Sequence, residues 1–127
     1  MLPAQAVPAA AGVPVTQRGV THAFTVASGH LPPGHEKSLV DWGALARVGG
    51  TIVVVMGVRN VRAITAALVE AGLSGDTPAA VVQEGETDAQ RVYFATVASL
   101  ADVMEAEGVG SPAVYVVGEV AGLAHAG

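Results

Sequence analysis

Few residues in this sequence have side chains that make or break bonds unaided. Its 127 residues include no cysteine, which excludes disulfides, cysteine-based catalysis and thiolate metal sites. His30 and His35 share one segment with Glu36, and two imidazoles beside a carboxylate are a donor set that zinc accepts. One short loop rarely fixes three ligands, because catalytic zinc draws on rigid elements, so no metal is assigned there. His22 and His125 add no recognisable ligand spacing. Thr16, Thr25 and Ser28 carry hydroxyls, but no Gly-x-Ser-x-Gly elbow presents one as a nucleophile. They are read as partners for backbone groups or for a ligand. No glycine-rich phosphate loop runs into Lys and Ser or Thr, and Gly108-Val109-Gly110 lacks the third glycine and the strand-to-helix context of a dinucleotide fingerprint.

The strongest remaining pattern is Thr51-Ile52-Val53-Val54-Val55-Met56-Gly57. A run of β-branched residues without alternation predicts a strand covered on both faces, since such side chains are stiff at χ1 and pack well on a pleated surface. Gly57 interrupts the run, and Val61, Ile64, Leu68 and Ala71 then recur at helical spacing. Strand, tight turn and helix in that order create a crevice at the carboxyl end of the strand, where ligands of α/β sheets collect. Met56 and Gly57 are therefore candidate ligand-contacting residues. The pattern equally allows Met56 as a flexible core filler and Gly57 as a mere relief of the turn.

The elements that would position this turn follow along the chain. Leu2–Ala11 is Ala-rich and broken by Pro3 and Pro8, and Gly12–Gly19 reads as a loop. Ala23–Ser28 predicts a strand ended by Gly29-His30, and Leu31–Lys37 predicts a surface loop, because Pro32, Pro33 and Gly34 break regular structure. Ser38 or Asp41 can cap a helix that runs to about Val48, with Trp42 as its packing anchor. Ala79–Gln83 and Gln90–Val97 predict strands joined by Glu84–Asp88 as an antiparallel hairpin. Ser99 with Asp102 resembles a capping box opening a helix that stops at Gly108, and Pro112 introduces a last strand, Ala113–Val117. The fold class expected is α/β: a single domain over residues 1–127 with a mixed, mostly five-stranded sheet and helices on both faces.

Composition bounds the functions available. With 51% hydrophobic and 13% charged residues the chain is greasier than a typical soluble domain. No apolar run reaches the roughly 18 to 20 residues of a membrane helix, and Met1–Gly12 lacks the basic start of a signal peptide, so a cytoplasmic protein without membrane association is expected. The formal net charge is −5. Its basic residues, Arg18, Lys37, Arg47, Arg59, Arg62 and Arg91, are scattered, which removes the electrostatic footprint of a nucleic-acid binder.

A resemblance rests on an ordered series of segments: Ala6–Gly19, Phe24–His30, Asp41-Trp42 with Leu45-Ala46, Gly50–Gly57, Thr77–Gln83 with Gly85, Gln90–Val92, and Val116–Val120. In order and spacing they resemble the C-terminal half of the uroporphyrinogen-III C-methyltransferases, within the tetrapyrrole methylase family. The resemblance implies an enzyme of two α/β domains that moves methyl groups from S-adenosylmethionine to C2 and C7 of uroporphyrinogen III. The product, precorrin-2, leads to siroheme and cobalamin. It also implies that the N-terminal methylase domain, with the glycine-rich cofactor loop, is absent from this chain, which holds only part of the cofactor site. The family's Thr-Ala cofactor contact would fall near Leu2-Pro3 and is not matched. Met56 matches the methionine that borders the adenosine, with Gly57 beside it, and Gly85 matches a glycine whose backbone approaches the cofactor. Pro78, Ala79 and Ala80 match the segment that runs beside it. Arg18 and His30 are weaker candidates for substrate carboxylates, and a histidine often found before that arginine is Gln17 here.

Transfer of a methyl group from a sulfonium to an electron-rich pyrrole carbon is an in-line displacement, so holding two reactants in line matters more than acid–base groups. No catalytic residue is assigned in this half. Met56 and Gly85 are expected at one end of the sheet despite 29 intervening steps in sequence, because both close parallel strands. A homodimer is expected, since the face turned to the missing domain is apolar. The alternatives are another precorrin methylase, or a non-catalytic module for dimerisation or tetrapyrrole binding.

Overall fold

The computed structural model describes residues 24–48, 50–83, 90–110 and 112–126. The Ala-rich Leu2–Ala11, the loop over Gly12–Gly19 with Arg18, and the link Glu84–Asp88 with Gly85 lie outside the described residues. Five strands are described: β1 (Phe24–Ser28), β2 (Thr51–Val55), β3 (Pro78–Gln83), β4 (Arg91–Thr96) and β5 (Ala113–Val117). Four helices accompany them: α1 (Trp42–Val48), α2 (Val61–Glu70), α3 (Leu100–Ala106) and α4 (Glu119–Ala126). The sheet is mixed, in the order β1-β2-β5-β3-β4. β1 and β2 pair in parallel, and β5 runs antiparallel to both β2 and β3. The hairpin expected from the sequence forms between β3 and β4, from Pro78 opposite Thr96 to Gln83 opposite Arg91.

This order has a geometric consequence for any site. β1, β2 and β3 all run in one direction, so their carboxyl ends meet at one edge of the sheet. Val55 and Val82 both pair with Val114 of the strand between them, which puts the ends of β2 and β3 in one row, two strand spacings or about 10 Å apart.

β2 is covered on both faces, as its unbroken β-branched run requires: Thr51 to Val54 are at most 3% exposed. On one face Ile52, Val54, Val81 and Tyr115 pack with Trp42, Ile64, Leu68, Leu100 and Met104 from α1, α2 and α3. On the other, Val53, Ala80, Val114 and Val116 pack with Val120 and Ala121 of α4. Helix α2 buries Val61, Ile64, Thr65 and Leu68, a single stripe. The Thr65 hydroxyl donates to the Val61 carbonyl at 2.9 Å, so a buried polar group in this stripe is satisfied within its own helix.

Helix ends follow the sequence with one exception. Asp41 caps α1, its Oδ1 accepting from the Ala44 N–H at 2.9 Å. α2 and α3 close with Gly72 and Gly108 at φ 115° and 64°. There the N–H of Leu73 reaches the Leu68 carbonyl and that of Val109 the Met104 carbonyl, the pattern that a left-handed residue after a helix allows. The capping box expected from Ser99 and Asp102 does not form. Ser99 precedes α3 but makes no side-chain cap; its Oγ instead accepts from the Thr96 N–H at 3.0 Å and meets the Thr96 hydroxyl at 3.0 Å. The Asp102 carboxylate is engaged by Arg62, which also reaches Glu105. The tight turn from β4 thus takes the hydroxyl that the helix would otherwise use. Among the described residues no helix is long and apolar enough to cross a membrane.

Candidate functional site

The edge where β1, β2 and β3 end is built from backbone packed on backbone. The ladder between β1 and β2 continues one step past β1, with the Gly29 N–H donating to the Val55 carbonyl at 2.8 Å. Gly29 is then so close to the turn after β2 that a Cβ on it would lie 2.6 Å from the Gly57 Cα. A Cβ on Gly57 would lie 2.6 Å from Val54 Cγ1 and 2.7 Å from the Tyr115 hydroxyl oxygen. Both positions therefore exclude any side chain.

Met56 stands between Val55 and this inward-packed glycine. It has φ 54°, the left-handed region, and among the described residues no other non-glycine does so. An unbranched side chain costs about 1 to 2 kcal/mol in that conformation, and the residue gains little burial in return, being 63% exposed. The core-filler reading of Met56 is overturned on this point. An exposed thioether held in a strained backbone at the carboxyl end of a central strand is the kind of local cost that clusters at ligand sites.

Relatives bear on this geometry directly. Residues 3–101 match the family model described as Tetrapyrrole (Corrin/Porphyrin) Methylases. The chain belongs to the tetrapyrrole methylase family. It is 44% identical over 115 residues to an S-adenosyl-L-methionine-dependent uroporphyrinogen III methyltransferase of Methanosarcina barkeri, covering 91% of this chain and 45% of that protein. A siroheme synthase of Methylococcus capsulatus is 38% identical over 113 residues, covering 89% of this chain and 24% of that protein. The chain thus spans less than half the length of these curated relatives. Among solved structures, a uroporphyrin-III C-methyl transferase of Thermus thermophilus complexed with S-adenyl homocysteine superposes with a TM-score of 0.71 at 34% identity, covering 92% of this chain and 50% of that one. A cobalt precorrin-4 methyltransferase superposes at 0.82 with 22% identity, covering 93% and 49%, and so shares the fold.

Within this methylase domain the structure gathers some of the residues singled out from sequence and separates others. Met56 and Gly57 lie at the edge just described. His30 joins them through its backbone: its carbonyl accepts from the Asn60 side-chain amide at 3.2 Å, and the Gly29 carbonyl accepts from the same amide at 2.8 Å. Gly85 lies outside the described residues, two positions beyond the end of β3, and Arg18 is likewise outside them. Pro78, Ala79 and Ala80 are not brought to Met56. They open β3, and the strand climbs about 16 Å from Pro78 to Gln83 before it reaches the edge. Pro78 and Ala79 line a depression of about 200 Å³ at the opposite edge, with Phe94, Thr96, Ala121 and Gly122. Ala80 is fully buried under α4. A strand carries its first and last residues to opposite ends of the sheet, so these three stand apart from Met56.

Among the described residues no group of three His, Asp or Glu stands together as a metal site; His35 Nδ1 accepts from the Lys37 N–H at 3.0 Å. Two residues that matter at the edge were not singled out from sequence. Asn60 lies just before α2, and Tyr115 in the last strand, Ala113–Val117. The signal for Tyr115 was available: a tyrosine in a strand covered on both faces must find a partner for its hydroxyl. That partner is the Gly57 carbonyl, at 3.1 Å.

Two outcomes follow. Replacing Met56 with Gly is expected to raise stability by about 1 kcal/mol, because glycine adopts positive φ freely and little burial is lost; chemical denaturation reports it, and a loss of stability would place the side chain in the core. Burial pushes the Tyr115 phenol above its ordinary value. The folded state therefore keeps a proton that the unfolded chain releases above about pH 10. Stability present below that pH is expected to decline as the pH rises past it, and Tyr115→Phe should flatten the decline in denaturation curves compared between about pH 9 and 11.

Proposed function

We propose that this chain is the C-terminal half of an S-adenosylmethionine-dependent uroporphyrinogen-III C-methyltransferase, acting in siroheme and cobalamin biosynthesis. The observation that carries the reading is Met56: strained, exposed, and set at the carboxyl ends of three strands in a chain whose relatives include that methyltransferase. Met56 and Gly57, with Gly85 beyond β3, would wall the crevice for the adenosine end of the cofactor. The family's own chemistry is methyl donation by the bound sulfonium. What this chain supplies is shape: a thioether wall, which is apolar and polarisable and suits an adenine face, and glycine backbone close enough to be met without a side chain between. Met56 and Gly57 thus position, and transfer itself draws on groups of a further domain. His30 and Arg18 are proposed to meet substrate carboxylates. A cytoplasmic location accompanies this reading.

Methyl transfer to uroporphyrinogen III is expected from the complete protein and not from the 127 residues alone, assayed by formation of precorrin-2. In the complete protein Met56→Ala should weaken S-adenosylmethionine binding about tenfold, close to 1.4 kcal/mol, with an unchanged melting temperature. A core methionine truncated in the same way would instead cost about 2 to 5 kcal/mol of stability. Unchanged affinity with a large loss of stability would sink the assignment.

Self-association belongs to the same proposal. Val26 on β1 is 43% exposed and Leu39 fully exposed, and apolar surface of this kind favours burial against a partner. Sedimentation of the chain at high concentration should show a dimer; a strictly monomeric species would count against it.

A further inference from the structure

We propose that Tyr115 and Asn60 are positioning residues for the cofactor contact, acting through the Gly29–Gly57 backbone contact to hold Met56 in its left-handed conformation. The functional half of this inference rests on the reading of Met56 as a wall of the cofactor crevice; the conformational half does not.

The two residues share one acceptor, the Gly57 carbonyl, and Asn60 adds a tie to the loop after β1. Tyr115 comes from β5, 58 positions away in sequence, and its hydroxyl donates to the Gly57 carbonyl inside the protein. Its ring is wholly buried in an otherwise apolar cluster. A phenylalanine would fill that space equally well, so packing alone does not account for the hydroxyl. The one thing it does there is to fix the direction of the Gly57–Val58 peptide, one residue beyond Met56.

Asn60 precedes α2, where an asparagine ordinarily caps the helix with its side chain. It makes no such cap. Its side-chain amide donates instead to the carbonyls of Gly29 and His30, at 2.8 and 3.2 Å. Its own N–H donates to the Gly57 carbonyl at 3.2 Å. One residue thus ties the loop after β1 to the turn after β2, having forgone its usual role at the helix.

The Val55–Met56 peptide is held in the ladder by the Gly29 N–H, and the Gly57–Val58 peptide by Tyr115 and Asn60, so the chain is anchored on both sides of the Met56-Gly57 pair. Met56 is left with positive φ and an outward side chain. Loosening either clamp lets Met56 relax toward negative φ, which swings the thioether away from the crevice without unfolding the sheet.

The test uses Tyr115→Phe, which keeps the ring, with Asn60→Ala as a second variant in case the first fails to fold. In the 127-residue chain, NMR should show a strong intraresidue contact between the Met56 amide and α protons, the mark of positive φ. This contact should weaken in either variant. Amide exchange from Met56 to Asn60 should quicken about tenfold, while amides of Val81 and Val116 stay as they were. In the complete protein the KM for S-adenosylmethionine should rise about fivefold with kcat within twofold. In a Met56→Ala background the same variants should add nothing further. An unchanged Met56 signal and KM would overturn the proposal, and so would a rise in KM that persists undiminished once Met56 is alanine. If Met56→Ala itself leaves affinity untouched, the crevice reading fails, while the NMR comparison still decides whether the clamp holds the turn.

Discussion

The edge where β1, β2 and β3 end is governed by a contact between two backbones. Gly29 and Gly57 meet so closely that neither tolerates a Cβ, and their contact joins the loops leaving the two parallel strands β1 and β2. Because Gly57 must pack inward on Val54 and Tyr115, the chain cannot leave β2 gradually; it turns within one residue. That residue is Met56. Its conformation is thus not a local preference but the remainder left when Val55 and Gly57 have been fixed by the rest of the fold. Such over-determination is what allows a strained residue to persist. It comes from a central strand with no exposed face, flanked by a second, β5, from which the tyrosine hydroxyl reaches across.

This arrangement suits a reaction that asks for alignment. In an in-line transfer much of the barrier is met by holding the reacting partners in register, and small displacements of a wall translate into large losses. Rigid strand ends hold such geometry better than long loops do. Among the described residues this edge brings together backbone, the Met56 thioether and the loop that carries His30, a lining suited to shape and exclusion.

Much of the fold was legible because the sequence states it locally. The β-branched run Thr51–Val55 is a buried strand, the stripe Val61, Ile64, Leu68 is a helix face, and Gly108 marks a helix end. What was illegible depends on partners distant in sequence. Nothing near Ala113–Val117 says that it inserts between β2 and β3, since its register is set by Val53, Val54, Val81 and Val82 on either side. Helix α4 went unpredicted because Gly118 and Gly122 frame a short segment with a weak apolar stripe. It forms because Val120 and Ala121 find the open sheet face. Of the candidate site, Met56 and Gly57 were legible from their place at a strand end. The clamp was not, since Asn60 forgoes its local role and Tyr115 acts 58 positions from its partner.

Strain by itself is a poor guide to function, and the same chain shows why. Trp42 Nε1 and Thr51 Oγ1 are buried and find no hydrogen-bond partner among the described residues, each a cost comparable with the backbone strain at Met56. Both atoms are sealed in the interior, with Trp42 4% and Thr51 1% exposed, so whatever they cost is returned as packing around them. Met56 returns nothing of the kind to the folded chain. Its side chain faces outward, and the groups that hold it there include an asparagine diverted from a helix cap and a tyrosine hydroxyl placed in an apolar cluster. A conformation braced by a side chain and a hydroxyl from two other elements, with little burial in return, is the kind of local cost that is found at functional sites.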